Sequence, residues 1–171
     1  MVKYLAAVVV AFMLLPTTAT AQAADPAIIE AIEGEWGEMR NVRGSVTTRH
    51  QDGYVQTGSF HITNPEKVYI EYDDGNQFWI EGGQVITYNS FDGRDSQRLG
   101  PFRAAFSTEP DFSNIISGSG SAGGTTVIRF RDPQGRVDGY LDMEFGSNHQ
   151  LSGWKFHNES MGQETRTTLD Y

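Results

Sequence analysis

Residues 58–75, GSFHITNPEKVYIEYDDG, carry an apolar side chain at every second position: Phe60 and Ile62 before Asn64-Pro65, then Val68, Ile70 and Tyr72 up to Asp73-Asp74-Gly75. Successive side chains of a strand point to opposite faces, whereas a helix returns to the same face only after three or four residues. A period of two therefore predicts two strands, each with one apolar stripe. Pro65 cannot donate to a ladder, so it belongs to the connection. The segment reads as a hairpin with one greasy face.

The same grammar repeats along the chain. Val42 to His50 precedes the turn Gln51-Asp52-Gly53, and Tyr54 to Thr63 precedes Asn64-Pro65. Lys67 to Tyr72 meets Asp73-Asp74-Gly75-Asn76, Gln77 to Glu81 meets Gly82-Gly83, and Gln84 to Asn89 runs into Phe91-Asp92-Gly93. After a Gly/Ser segment, four more runs follow: 125–131, 137–145, 151–158 and 163–169. Short runs separated by Gly, Asn and Asp turns predict an antiparallel meander of about nine or ten strands. A sheet that wide must curl or close on itself.

Helix signals are few. Asp25-Pro26 is an N-cap followed by proline at the first helical position, and Ile28, Ile29, Ile32, Trp36 and Met39 recur at helical spacing, which predicts one amphipathic helix over 26–39. The segment Phe102 to Phe106, after Pro101, is expected to form a short helix or a turn. Gly118-Ser-Gly-Ser-Ala-Gly123 reads as a flexible linker.

Lys3, the apolar run Tyr4 to Leu15 and a small polar stretch ending Ala21-Gln22-Ala23 have the layout of a secretory signal peptide. The apolar run is too short for a bilayer core of roughly 30 Å, which needs about 20 residues. Residues 1–23 are thus expected to be removed on export to the periplasm, leaving 24–171 as one domain with no room for a second. No cysteine occurs, so neither a disulfide nor a lipidated N-terminal thiol is expected. A net charge of −9 disfavours nucleic acid, which would repel the chain.

Motifs of catalysis are weak or missing. Gly118 to Gly123 fits G-x-G-x-x-G, but the dinucleotide fingerprint needs a helix next, and Thr125-Thr-Val-Ile128 is strand-like. No serine has glycine two residues before and two after it, which removes the hydrolase elbow. His50, His61, His149 and His157 lack helical metal-site spacing, although His149 and His157 could approach each other across a hairpin. The pairs Asp73/Asp74, Asp92/Asp95 and Asp132/Asp138 lie beside Gly turns, where Asp serves the local backbone. A binding protein with no metal and no cofactor is expected, not an enzyme.

In their order the motifs resemble the periplasmic outer-membrane lipoprotein carrier family, LolA. The matching residues are Gly58 to Pro65 followed by Val68 to Tyr72, then Glu81-Gly82 with the strand to Asn89, then Tyr140 to Phe145. Leu151-Ser-Gly-Trp154 and Gly162 to Leu169 complete the pattern. The resemblance implies an incompletely closed antiparallel β-barrel, a half barrel, with an N-terminal helix and a short lid over an apolar concave face. It implies that Phe60, Ile62, Val68, Ile70, Tyr72, Phe78, Ile86 and Tyr88 line a cavity for the acyl chains of lipoproteins, with Asn64, Pro101, Phe102 and Phe106 at the lid.

The implied partners are acylated lipoproteins as cargo, an inner-membrane ATP-driven release complex and an outer-membrane receptor, met by a monomer that touches membranes transiently. In the family an arginine precedes the hairpin proline and holds the lid backbone. Asn64 stands there, and its amide is expected to bond a carbonyl near 101–106. A Glu at Val68 is expected to abolish loading while leaving the fold. Two other readings use the same half barrel: a binder of another lipid or hydrophobic small molecule, and an envelope-stress sensor.

Overall fold

The computed structural model describes residues 25–89, 92–97, 99–117, 124–136 and 138–171. The expected leader at 1–23, Phe91 of the expected turn and the expected linker Gly118 to Gly123 lie outside the described residues.

The chain opens with α1 (Pro26–Glu38) and continues through β1 (Val42–His50), β2 (Val55–Asn64), β3 (Lys67–Tyr72), β4 (Gln77–Glu81), β5 (Gln84–Asn89) and β6 (Gly93–Gln97). A second helix, α2 (Gly100–Ala105), leads to β7 (Ile115–Ser117), β8 (Thr126–Arg131), β9 (Gly139–Phe145), β10 (Leu151–Asn158) and β11 (Gln163–Asp170). All the strands lie in one antiparallel sheet of order β6-β5-β4-β3-β2-β1-β11-β10-β9-β8-β7. The edge strands β6 and β7 do not pair with each other, so the curled sheet stays open, a half barrel of the expected kind.

Two strands have no counterpart in the sequence reading. β6 is Gly-Arg-Asp-Ser-Gln, polar at every position, and β7 spans only three residues. Both are edges: the polar side chains of β6 protect the sheet from further pairing and leave no apolar stripe to read, and β7 is too short to show a period.

Local chemistry accounts for the helices. Asp25 accepts a hydrogen bond from the Ala27 amide at 3.0 Å, capping α1. Ile32 and Trp36 are its buried face. The Trp36 ring meets Phe106 at 5.7 Å, Phe112 at 6.0 Å and Phe145 at 6.4 Å, tying α1 to the sheet and to the segment after α2. α2 touches β5 on one limb of the sheet and β8 and β9 on the other, so it bridges the opening. Gly100 starts it because a side chain there would stand 2.1 Å from Asp132 Cγ.

Beneath the helices, the inner face of the sheet is filled by Ile62, Ile70, Ile80, Ile128, Leu141, Met143 and Leu151, all buried. On the outer face Arg129 grips Asp142 with two hydrogen bonds of 2.7 Å and lies 3.6 Å from the Tyr140 ring centroid, clamping β8 to β9.

Candidate functional site: an amphipathic cavity on the inner face

Past Phe102 the inner face is no longer filled. A cavity of about 340 Å³ opens there, lined by Phe78, Val85, Leu99, Phe102, Trp154 and Phe156 and, interleaved with them, by polar residues that include Thr48, His50, Gln56, Tyr72, Thr165 and Thr167. That volume is at the small end of ligand pockets, which run from about 300 to 1,000 Å³. Phe102 divides cavity from core: its ring stacks on Phe106 at 6.0 Å and leans on Phe156 at 5.2 Å and Phe78 at 6.2 Å.

Of the residues expected to line a cavity, Tyr72, Phe78 and Tyr88 do so, and they are joined there by Phe102, which was expected at the lid. Phe60, Ile62, Val68 and Ile70 are instead part of the packed core, none more than 2% exposed. The stripe faces inward as its alternation requires, but α1 and α2 cover that part of the face. Ile86 lies opposite Trp79 and Ser96 and next to the inward Val85, which puts it on the outer face beside the Tyr69–Trp79 ring pair. Tyr88 has the same parity, yet at the strand end it reaches the cavity rim, 39% exposed.

The lid residues divide similarly. Pro101 is buried in α2, and Phe106 is core, in contact with Trp36 and Trp154. Asn64 is not a latch: its Oδ1 accepts the Glu66 amide at 2.9 Å across the Pro65 turn, and among the described residues no hydrogen bond joins its side chain to 101–106. An Asn at this position serves the local backbone, as Asx turns do.

The polar residues form two hydrogen-bonded clusters. Thr48 Oγ1 lies 2.9 Å from the Tyr72 hydroxyl and 3.1 Å from Thr167 Oγ1. Because Thr48 and Tyr72 stand on either side of β2, their contact crosses that strand near Gly58. Any side chain at Gly58 would press on the neighbouring backbone, 2.1 Å from the Glu71 carbonyl oxygen and 2.7 Å from Tyr72 Cα. His50 Nε2 donates to Gln56 Oε1 at 2.9 Å, and Gln56 Nε2 donates to Asp74 Oδ2 at 2.9 Å. Asp74 also accepts from the Tyr54 hydroxyl at 2.8 Å and from the Asn76 backbone and side-chain amides at 2.9 and 3.0 Å.

Desolvation works against the Asp74 charge, but these donors outweigh it together and hold the carboxyl below its ordinary range. Burial raises the Tyr72 phenol, with the Thr48 bond opposing and Asp74 adding to the rise.

Sequence reasoning missed Thr48, Gln56 and Thr167. A signal existed: each lies two residues from an inward position, Val46, Gly58 or Leu169, so period two points it inward as well. A polar residue on an inward position marks a place where the core stops.

Among the described residues no group of three or more His, Asp or Glu is arranged to hold a metal ion. His157 stacks on Tyr140 at 5.0 Å. Asp132 accepts the Gln134 and Arg136 backbone amides, each at 3.0 Å, which is the turn chemistry expected of these aspartates.

No family model matches the chain, and no curated protein matches it in sequence. Among solved structures it is similar to MucB, at 12% identity over 88% of this chain and TM-score 0.43, and it spans 58% of MucB's length. It is similar to an uncharacterized conserved protein from Thermus thermophilus, at 10% identity over 84% of this chain and 82% of that one, with TM-score 0.43. It is also similar to the LolA superfamily protein NE2245 from Nitrosomonas europaea, at 8% identity over 85% of this chain and 90% of that one, with TM-score 0.45.

Proposed function

We propose that this chain is a periplasmic carrier that binds acyl chains in the inner-face cavity and hands lipoproteins from an inner-membrane ATP-driven release complex to an outer-membrane receptor. The observation that carries the reading is the cavity itself: rings and aliphatic side chains from β4, β5 and β10 face a hollow that only Phe102 of α2 separates from the core. In this reading the site acts by binding.

An acyl chain of about sixteen carbons gains on the order of 10 kcal/mol when buried, at about 0.8 kcal/mol per CH₂. A rigid open groove with that affinity would hold its cargo too long to deliver it. A short helix that must be displaced on loading opposes part of the gain, and its return helps expel the chain.

A second reading, a binder of one small amphiphile, is favoured by the modest volume of about 340 Å³ and by the polar half of the wall. Native mass spectrometry of protein purified from the periplasm separates the two. A retained triacylated peptide supports the carrier. A retained single-chain lipid in its place supports the second reading, and protein that stays empty after incubation with either ligand overturns both.

A further inference from the structure

We infer that the hydroxyl cluster of Thr48, Tyr72 and Thr167 is a headgroup subsite selective for uncharged, ester- or amide-linked acyl chains. The inference rests on the acyl-binding reading above and names the polar end of the ligand.

Hydroxyl accounting comes first. The three side chains carry three O–H protons, and the two contacts among them, 2.9 Å from Thr48 to Tyr72 and 3.1 Å from Thr48 to Thr167, use two. One proton and several lone pairs remain on a patch of cavity wall. Thr48 and Thr167 are each 3% exposed and Tyr72 is 9% exposed, so this capacity sits deep in the cavity wall. A group entering there must both accept and donate. Ester and amide carbonyls accept, and the free hydroxyl of a glycerol ester or the N–H of an amide donates.

Charge decides what is refused. Among the described residues no lysine or arginine lines the cavity, so a carboxylate or phosphate head would lose its hydration with no cation in exchange. The Asp74 carboxylate behind Gln56 repels an anion further. The same carboxylate attracts a cationic head, but four donors from Tyr54, Gln56 and Asn76 already occupy its oxygens, so it offers such a head no direct hydrogen bond. Gln56 is held from both sides, by His50 and by Asp74, and cannot swing aside to admit one.

The test titrates the purified, delipidated protein, following the ligand-induced change in tryptophan fluorescence, with Trp154 the tryptophan in the cavity wall. Ligands are 1-monopalmitoylglycerol and palmitate at pH 8, both below micelle formation, and a triacylated lipopeptide. Monopalmitoylglycerol should bind at least about tenfold more tightly than palmitate. Thr48→Val and Thr167→Val keep side-chain shape. Each should weaken monopalmitoylglycerol and lipopeptide about 3- to 10-fold, the worth of one hydrogen bond, while leaving palmitate unchanged.

Thermal melts of both variants near the parent's show that any loss is local. Palmitate binding as tightly as monopalmitoylglycerol, or lipopeptide and monopalmitoylglycerol affinities untouched by both substitutions, overturns the subsite. Either result leaves the carrier reading standing as long as the lipopeptide binds. Failure of all three ligands to bind the parent overturns the carrier reading and the subsite with it.

Discussion

Two stretches of the same inner face are built to opposite ends. Toward α1 the strands offer Val46 on β1, Leu169 on β11 and Ile70 on β3, all buried under Trp36 and its ring partners. Two residues along each strand, at the same inward parity, stand Thr48, Thr167 and Tyr72, bonded to one another around a hollow. Both regions are buried, so burial does not separate them. What separates them is whether a partner side chain fills the space above: rings do so on one side of Phe102 and nothing does on the other.

The sharpest break of this contrast is a charge in the filled half. Val68→Glu buries a carboxylate without a partner at a position 2% exposed, a cost on the order of 5 kcal/mol, enough to unfold a domain of ordinary stability. Urea titration should show no folded baseline. This reverses the expectation that the variant folds and merely fails to load; a folded Val68→Glu would put that strand back on a binding surface.

At the divide, Phe102→Ala should cost about 3 kcal/mol, the low end for such truncations, because one side of the ring already borders empty space. It should also speed uptake of an acyl probe in stopped-flow fluorescence. A loss near ~5 kcal/mol, the upper end for such truncations, with unchanged uptake would make Phe102 plain core.

Smaller effects test the residues that merely border the contrast. Asn64→Ala removes one turn hydrogen bond and should cost about 1 kcal/mol in chemical denaturation, while Asn64→Arg should leave cargo release rates as they are. Slower release from Asn64→Arg would restore the latch.

Tyr72 supplies the finest probe. Its phenol is raised above the ordinary value of about 10 chiefly by burial, so the folded chain keeps this proton after the unfolded chain has lost it. The stability this contributes is present below about pH 10 and is lost as pH rises through the raised value. Melting temperature should therefore fall more steeply above about pH 10 in the parent than in Tyr72→Phe. Parallel curves would mean the phenol is wetter than the cavity wall implies.

Most of the architecture was legible in the sequence because strands with one buried face write their period into it. Phe60, Ile62, Val68 and Ile70 announced both a strand and an inward face. β6 left no such trace, since an edge strand of Gly-Arg-Asp-Ser-Gln pairs with β5 without an apolar stripe. The site was less legible for a related reason. Alternation tells which side a residue faces, but whether that side is filled depends on α2, whose Phe102 and Phe106 arrive from the far side of the sequence and cover only part of the face. Core and cavity wall therefore look alike until the covering helix is in place. Asn64 misled because a single polar residue beside proline is equally at home in a turn and in a contact between elements.

The strand order carries a consequence for how the protein is made. β1 and β11 are neighbours at the centre of the sheet, with Ser45 opposite Asp170 and His50 opposite Thr165. Every other ladder joins strands adjacent in the chain, so two meanders, β1 to β6 and β7 to β11, can form by local closure. The seam between them cannot zip until the last strand has been made, and joining sequence-distant segments is the slow class of folding event. Until then β1 is an exposed edge bearing the inward row of Val46, Thr48 and His50. Until β11 docks, the cavity wall of a newly made chain is open along the seam, so a chaperone that shields β1 should raise the yield of this protein more than one that protects either hairpin stack.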